Sequence, residues 1–507
     1  MRMKKLLTLM LVLMLVLPTL TLGEGEPFRS YASDFSQDAD GWYARGTGEA
    51  SISTADGVLT ITGRTATWNS PGRDFPLVAG KKYTISVEVM QDSAESFELM
   101  ISAAHSKNGL ESYENIGKAA ARKGEWTTIS ATYSPAAYDN YVLYVETVGF
   151  GTSDFSMRNF KIELDEIVFD TTLPSLKELY APYFDFGAAV TQSEALDTKR
   201  MDFYASQFCI ITPGNELKPD FVLDMAGSRK LAQEDETAVA VRFDAAKPML
   251  DYCQANGIKV HGHVLVWHSQ TPDAFFREGY KSTGAYVTRE VMLARLDNYI
   301  RLIMEYMDAN YPGLIVSWDV VNEAINDGNG SLRESNWTRV VGDDFVNRAF
   351  EIARKHAPAE TKLYYNDYNT PEMMKLIGIC TLLDSLVAEG NIDGYGFQAH
   401  YGSGTPLPSR IRTAMEQISA KGLRLRVSEL DVAITDNSDV QLLTQAYRYE
   451  ALFKIFLDFA DKIDAVQVWG VTDDLSWKAS EYPLLFDRKA NPKPAFDKVV
   501  ELVQPAE

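Results

Sequence analysis

Two glutamates stand where a pair of carboxylates could do acid-base chemistry. Glu323 lies near the end of WDVVNEA (residues 318–324), and Glu429 lies in VSELDV (residues 427–432). Each follows a short apolar run of the kind that forms a buried strand. Facing carboxylates suit cleavage of a glycosidic bond: one donates a proton to the leaving oxygen, and the other attacks the anomeric carbon or activates a water. Alternatively, both are solvated charges at strand ends, and the two motifs alone do not decide.

Other apolar runs also end in polar or aromatic side chains. Amides and histidines can hydrogen-bond sugar hydroxyls, and a tryptophan face can stack on a sugar ring. A single histidine is more often a core or surface residue than a functional one, but four of the six histidines fall in these segments. The candidates are Asn215, Glu216, Lys218, His261, His263, Trp267, His268, Asn322, Asn366, Asp367, Tyr368, Gln398, His400, Asp431, Trp469 and Trp477.

The elements that carry these residues alternate between strand-like and helix-like patterns over residues 171–507. Eight β-rich runs are separated by longer amphipathic segments such as FDAAKPMLDYCQANG, where Gly257 predicts the end of a helix. This order predicts a (β/α)₈ TIM barrel, whose functional residues gather at the C-terminal ends of the strands. The eight runs are YFDFGAAV from 183, FCIITPGN from 208, KVHGHVLVWH from 259, VSWDVVNEA from 316, KLYYNDYN from 362, GYGFQAHY from 394, RLRVSELDV from 424 and VQVWGVTD from 466.

Residues 24–170 follow a different pattern, in which short strand-like runs recur with turn residues between them. Several of them alternate apolar and polar residues, the period of a half-buried antiparallel strand. The runs are GVLTITG, KKYTISVEVM, FELMISAA, WTTISATY and NYVLYVETV. So many short strands predict a β-sandwich of the jelly-roll type as a separate N-terminal domain.

Residues 1–23 read as a secretory signal peptide. Arg2, Lys4 and Lys5 precede a mostly apolar stretch that ends near Gly23. An uncleaved membrane anchor is the alternative, but Pro18 interrupts a stretch that is short for a span. We therefore expect a secreted, extracellular protein with no membrane association after cleavage.

Charge and cysteine content exclude several function classes. The net charge of −21 should repel nucleic acid and anionic lipid, whereas a neutral ligand remains compatible. The three cysteines are too few for a disulfide framework, and we interpret Cys209, Cys253 and Cys380 as small buried hydrophobic residues. The sequence contains no CxxC or HExxH pattern, so we expect neither a metal nor another cofactor.

The second region resembles glycoside hydrolase family 10, the endo-β-1,4-xylanases, from about residue 173 to residue 503. The motifs WDVVNEA, VSELDV, GHVLVWHSQTP, YNDYN, GFQAHY and VWGVTD occur in the family's order. The resemblance implies a retaining mechanism with Glu323 as proton donor and general base and Glu429 as nucleophile. It implies that His400 hydrogen-bonds Glu429 with Asp431 behind it, and that Asn322 binds the 2-hydroxyl of the sugar under attack.

The same resemblance implies a substrate-binding set and a partner. The glycone sugar would be held by Asn215, Lys218, His263, Trp267 and Gln398, with Trp469 and Trp477 rejecting a sugar that carries an exocyclic hydroxymethyl group. We expect His268 and Tyr368 to contact the substrate too. The implied partners are xylan and xylo-oligosaccharides, and we expect a monomer. The chain departs from many members at Gly214 and Pro219, which puts the distal glycone subsite in doubt.

The first region resembles carbohydrate-binding module family 22 in GWYARG, RTATWNSP and LYVE. The resemblance implies xylan contact through Arg45, Trp68, Tyr113, Tyr144 and Glu146. Alternatively, Trp68 and Tyr144 are core aromatics, and the module binds mixed-linkage glucan or nothing.

Two other functions remain open for the barrel. The same carboxylates could hydrolyse a mixed-linkage β-glucan, and a barrel of this kind could bind a polysaccharide without cleaving it. The intact glutamate pair favours an enzyme, and the two tryptophans favour xylan.

Overall fold

The computed structural model describes residues 28–46, 48–107, 109–149 and 151–504, so that the predicted signal peptide, residues 1–23, lies outside the described residues. The chain divides after Glu166 into two compact units. Each unit has its own hydrophobic core.

The first unit is the predicted β-sandwich. A six-stranded antiparallel sheet has the order β3-β4-β11-β6-β9 with β1 on β11, and a five-stranded sheet has the order β2-β5-β10-β7-β8. The strands are β1 Ser30–Ser33, β2 Tyr43–Arg45, β3 Ser51–Ala55, β4 Val58–Thr62, β5 Ser70–Asp74, β6 Tyr83–Met90, β7 Ser96–Lys107, β8 Leu110–Arg122, β9 Thr127–Tyr133, β10 Asn140–Thr147 and β11 Phe155–Leu164.

Alternating side chains of the two sheets form the core of this unit. In β6 every second residue from Tyr83 to Val89 is buried, and in β10 Tyr141, Leu143 and Val145 point inward. All five predicted runs are strands. The sequence patterns missed others, above all β8, because its largely exposed residues show no apolar alternation.

The second unit is a closed barrel with eight parallel strand positions, as predicted. Strand β12 pairs with β13 on one side and with the last strand, β21, on the other. Strand β14 pairs with β16, so the ring is closed. Two of the eight are interrupted: β14 continues after a break as β15, and β18 continues as β19. The strands are β12 Asp185–Val190, β13 Ile210–Pro213, β14 Lys259–Gly262, β15 Val266–Trp267, β16 Ile315–Asn322, β17 Lys362–Asp367, β18 Gly394–Phe397, β19 His400–Gly402, β20 Arg424–Ala433 and β21 Ile463–Val468.

Helices connect the strands around the outside of the barrel. The predicted stop at Gly257 is confirmed: the residue closes α6 in the left-handed conformation with φ of +66°, which glycine adopts without steric cost. The helices are α1 Leu176–Tyr180, α2 Gln192–Ala195, α3 Thr198–Gln207, α4 Pro219–Val222, α5 Met225–Leu231, α6 Lys247–Asn256, α7 Arg289–Asn310, α8 Asn336–Val340, α9 Phe345–His356, α10 Met373–Glu389, α11 Pro408–Ser419, α12 Asp439–Asp458 and α13 Pro494–Glu501.

Three observations bear on the predictions from composition. Cys209 and Cys380 are only partly buried, so the expectation of burial holds for Cys253 alone. Within the described ranges, no group of three or more His, Cys, Asp or Glu side chains is placed to hold a metal ion. No helix in the described part of the chain combines the length and apolar character that a membrane crossing requires.

Candidate active site

A cleft of about 740 Å³ lies at the C-terminal ends of the barrel strands. Twelve of the predicted site residues line it, so strand ends that are far apart in sequence converge on one surface. They are Asn215, Lys218, His263, Trp267, Asn322, Glu323, Tyr368, Gln398, His400, Glu429, Trp469 and Trp477.

Glu323 is the first residue beyond β16, and its backbone is held in an unusual conformation. Its φ of +57° lies in the left-handed region, which costs a residue other than glycine about 1–2 kcal/mol. Two hydrogen bonds hold it there: the Glu323 N–H donates to the carbonyl of Asn366 (2.9 Å), and its own carbonyl accepts from Arg333 Nε (3.0 Å). The side chain thereby faces the cleft.

The Glu323 carboxylate is surrounded by neutral donors. Trp267 Nε1 donates to Oε2 (3.0 Å), and Gln398 Nε2 donates to Oε1 (2.9 Å). Asn322 Nδ2 also lies within hydrogen-bond distance of Oε1 (3.3 Å). These bonds fix where the carboxyl points. Trp267, which the family resemblance places at the glycone sugar, therefore also orients the candidate acid.

The Glu429 carboxylate lies in a different environment. Asn366 Nδ2 donates to Oε1 (2.7 Å), and His400 Nε2 lies 3.1 Å from Oε2. Burial disfavours the charged carboxylate, but the bond to His400 and the charges of His400 and His263 outweigh it. The pKa of Glu429 is therefore held below its usual value, which suits an ionised nucleophile.

His400 is held between two carboxylates. Its Nδ1 lies 2.7 Å from Asp431 Oδ2, on the side opposite Glu429. Burial lowers the pKa of His400, but Asp431 and Glu429 more than compensate and raise it to about 9. The same Asp431 carboxylate accepts from Trp477 Nε1 (2.9 Å) and Lys478 Nζ (3.2 Å). Asp431 is fully buried and is in contact with His400, which lines the cleft.

An amide network joins the two glutamates. Asn366 Nδ2 donates to Glu429 and also to Asn322 Oδ1 (3.1 Å), and Gln398 Nε2 donates to Asn322 Oδ1 (3.0 Å) and to Glu323. Asn366 is among the strand-end candidates, but the family resemblance implies no role for it. Its position in YNDYN, directly before two further polar residues, was the available signal.

A second buried acid, Asp319, lies one layer deeper in the barrel. Its Oδ2 is 2.9 Å from His263 Nδ1 and 3.0 Å from His261 Nε2. Burial raises the pKa of Asp319, but the two histidines lower it further, so it remains a carboxylate. Sequence reasoning missed it because an acid in the middle of the apolar run VSWDVV has no strand-end position to mark it.

The remaining predicted residues occupy three places. Lys218 Nζ donates to Asn215 Oδ1 (3.0 Å) and lies 5.1 Å from the centroid of the Trp267 ring. Tyr368 also lines the cleft, and its hydroxyl donates a hydrogen bond to Asp327. The structure places His268 outside the cleft, in a small separate cavity beside Trp267.

The five predicted residues of the first unit lie on or beside the outer face of the five-stranded sheet. The strand register places Arg45, Tyr113, Tyr144 and Glu146 on that face. Tyr144 is only 4% exposed, because the Arg45 guanidinium covers its ring at 3.8 Å. Trp68 and Tyr113 are 58% and 60% exposed, so neither belongs to the core.

Comparisons with known proteins assign each of the two units to a known family of domains. Residues 175–502 match the model of glycosyl hydrolase family 10, and residues 30–151 match that of a carbohydrate binding domain. A solved structure of the CBM22-1–GH10 modules of endo-1,4-beta-D-xylanase 10B from Clostridium thermocellum, complexed with xylohexaose, has a TM-score of 0.62 at 29% identity. The match covers 94% of this chain and 97% of that one.

Two curated relatives match nearly the whole chain. Endo-1,4-beta-xylanase A of Thermoanaerobacterium saccharolyticum is 32% identical over 487 residues, and an exoglucanase of Acetivibrio thermocellus is 30% identical over 487 residues. These matches cover 92% and 90% of this chain but only 40% and 43% of the relatives, so the chain spans less than half the length of either. With the family model covering the entire barrel, the chain belongs to glycosyl hydrolase family 10 and carries an N-terminal carbohydrate-binding module.

Proposed function

We propose that this protein is an endo-1,4-β-xylanase that cleaves internal bonds of xylan with retention of configuration. The observation that carries the proposal is the unequal environment of two carboxylates in one cleft. Glu429 is buried with a lowered pKa beside His400, whereas the donors around Glu323 are neutral N–H groups. A double displacement needs this difference, because one carboxylate must be ionised while the other carries a proton.

In the first step Glu429 acts as nucleophile. Its carboxylate attacks the anomeric carbon while Glu323 transfers its proton to the departing glycosidic oxygen, which leaves as a free hydroxyl. The product on the enzyme is a glycosyl ester of Glu429. In the second step the Glu323 carboxylate takes a proton from a water, and that water's oxygen displaces Glu429. Two inversions give net retention.

The rings at the cleft wall favour a pentose substrate. Trp469 packs edge-on against the rings of His263 and His400, with centroids 5.5 and 6.3 Å apart, and Trp477 packs against His400 at 4.9 Å. We infer that these rings leave no room for an exocyclic hydroxymethyl group. One relative is named an exoglucanase, so a glucan is the competing substrate, and mixed-linkage β-glucan is the form to compare with xylan. Faster release of reducing sugar from glucan than from xylan would overturn the choice.

Glu429→Ala tests the mechanism. We expect turnover of xylan to fall by roughly four or more powers of ten, because no other group can form the covalent intermediate. Xylan binding should persist, which separates an enzyme from a mere binding protein. In the wild type, proton NMR of the first products should show the β-anomer. Glu416→Ala, on the exposed face of α11, serves as control and should leave turnover unchanged.

Substantial residual activity in Glu429→Ala would overturn the nucleophile assignment, and first release of the α-anomer would overturn retention.

We also propose that the protein acts outside the cell, because residues 1–23 have the pattern of a signal peptide. The intact mass of protein recovered from the culture medium should correspond to a chain that begins at about residue 24; retention of the first 23 residues would contradict this.

A further inference from the structure

Lys375 is a buried cation to which the proposed mechanism gives no part. It lies in α10, and its side chain is fully buried. All three ammonium hydrogens have an acceptor: Ile325 O at 2.5 Å, Asp327 Oδ1 at 3.1 Å and Asp367 Oδ1 at 2.8 Å. A buried ammonium is stable only where such partners replace water. The cation is therefore built into the fold at this place.

The contacts of Lys375 converge on the segment that directly follows Glu323. Ile325 and Asp327 are bound by the ammonium itself. The intervening Ala324 is tied to the same ion pair from the other side: its N–H donates to Tyr365 Oη (2.9 Å), and that hydroxyl donates to Asp367. The ion pair of Lys375 with Asp367 thus holds three of the four residues after Glu323, namely those at 324, 325 and 327.

The segment needs such support because of its backbone. Glu323 itself has a positive φ, a conformation that persists only where the surroundings enforce it. The Lys375 ammonium also lies 4.3 Å from the centroid of the Tyr368 ring, which lines the cleft. One side chain therefore supports both the segment that carries Glu323 and the wall beside it.

The partner carboxylate depends on this ammonium. Asp367 is fully buried, and burial raises its pKa to about 6 even though Lys375 and Tyr365 oppose the shift, with the charge of Glu323 contributing to the rise. Without Lys375, burial would be opposed mainly by hydrogen bonds. Loss of the cation would therefore leave the Ile325 carbonyl to Arg333 (3.2 Å) and Asp327 to Tyr368 and Arg333, so both would be held less firmly. It would also alter the protonation of Asp367.

We propose that Lys375 is a positioning residue for proton transfer: it fixes residues 324–327 so that the Glu323 carboxyl meets the glycosidic oxygen. This inference rests on the acid/base role proposed for Glu323. It predicts a defect that depends on the leaving group. Substrates that need a proton from Glu323 should suffer, and substrates that do not need one should be spared.

The test compares kcat/KM of Lys375→Met on two substrates. Xylotetraose releases a sugar hydroxyl that must be protonated, whereas 2,4-dinitrophenyl β-xylobioside releases a phenolate that leaves without a proton. We expect kcat/KM to fall about 10- to 100-fold on xylotetraose and less than about 3-fold on the dinitrophenyl substrate. An equal fall on both substrates, or no fall on either, would overturn the proposal.

Two further variants keep the test decisive. Lys493→Met removes another buried lysine, paired with Asp473 at 2.9 Å in the loop after β21, and should affect both substrates alike. If Lys375→Met does not fold, Tyr365→Phe removes only the hydroxyl between Ala324 and Asp367 and should show a weaker form of the same selectivity. Equal effects of Tyr365→Phe on both substrates would then reject the inference.

Glu323→Ala separates this inference from the function on which it rests. That variant should show the full leaving-group dependence. If Glu323→Ala shows it and Lys375→Met does not, only the role of Lys375 is wrong. If Glu323→Ala lacks the dependence, the acid/base assignment itself is wrong.

Discussion

At the scale of single residues, the two glutamates differ through their neighbours and not through their own chemistry. Glu429 touches an imidazole that two carboxylates keep protonated, whereas Glu323 touches an indole and an amide. A protonated imidazole stabilises an adjacent carboxylate through its charge as well as its hydrogen bond, whereas a neutral N–H group contributes a hydrogen bond alone. His400, which Asp431 helps to keep protonated, is therefore what lowers the pKa of Glu429 and makes the two glutamates unlike.

His400→Gln tests this tuning. Removing the imidazole takes away the bond and charge that hold down the pKa of Glu429, while burial continues to raise it. As the proposed nucleophile, Glu429 has to be ionised to attack, so the acidic limb of the kcat/KM profile should move to higher pH. His356→Gln is the control: His356 is a partly buried histidine at the end of α9 that contacts Asp297, and its replacement should leave the profile unchanged. An unmoved acidic limb in His400→Gln would contradict the assignment.

The same group predicts a pH dependence of stability. The pKa of His400 rises from 6.5 to about 9 on folding, because Asp431 and Glu429 face it. Its contribution to stability is thus fully present below pH 6.5 and is lost as the pH rises through 9. The difference in Tm between wild type and His400→Gln should shrink over that interval. A constant difference would show that the imidazole is not charged in the folded protein.

The residues that the sequence identified at the site share one property: they lie toward the C-terminal end of an apolar run or shortly after it. The TIM-barrel rule alone places such residues in one cleft, so Glu323, His400 and Glu429 could be found without coordinates. Asp319 and Lys375 could not. Each lies inside an apolar segment, and only the packing of neighbouring elements shows that Asp319 faces two histidines and that Lys375 faces two carboxylates.

At the scale of elements, the loop after β21 is held by an internal ion pair. Lys493 Nζ donates to Asp473 Oδ2 (2.9 Å) and to the carbonyl of Tyr482 (2.7 Å), and Asp473 Oδ1 accepts from the N–H of Leu484 (2.8 Å). This loop presents Trp477 to the cleft. A rigid base for an exposed ring reduces the entropy that is lost when a sugar stacks on it.

Lys493→Met should therefore weaken both stability and substrate binding. Breaking a buried ion pair leaves one charge without its partner and typically costs about 3–5 kcal/mol. We expect a lower Tm and a higher KM for xylo-oligosaccharides, with a smaller change in kcat. The control is Lys247→Met, whose ion pair with Asp251 is exposed, and it should change neither quantity appreciably. A KM that stays at the wild-type value would mean that the ion pair does not position the loop.

Element boundaries were predictable where periodicity was strong. All eight barrel strands and the long helices α7 and α12 follow from the pattern of apolar residues. The third run forms two strands, β14 and β15, because residues 263–265 between them leave the strand conformation. The last strand begins at Ile463, earlier than predicted, since Asp464 near its start interrupts the apolar run that marks it.

At the scale of the whole molecule, the proposed binding face and the proposed catalytic cleft belong to units with separate cores. The outer face of the five-stranded sheet presents Trp68 and Tyr113, while Arg45 and Tyr144 pack on each other and form a firm base. A strongly acidic protein gains nothing from attraction to neutral xylan. Under the proposed function, contact with xylan would have to come from aromatic faces and hydrogen bonds.

Trp68→Ala should reduce retention of the full chain on insoluble xylan about tenfold, since an exposed aromatic anchor contributes roughly 1–2 kcal/mol. Its kcat/KM on xylotetraose should not change, because Trp68 belongs to the other unit. Trp126→Ala is the matched control: Trp126 packs under Arg158, at the six-stranded sheet, and should leave retention unaltered. Unchanged retention of Trp68→Ala would remove this ring from the binding face.

The backbone of Glu323 has a consequence for engineering. Glycine would relax the left-handed φ at this position, so the protein keeps its carboxylate there at the expense of stability. A mutant library screened for heat resistance alone would favour chains that have exchanged this glutamate for glycine. Such chains would survive heating and cut nothing. Any search for a thermostable form has to select for turnover and heat resistance in the same assay.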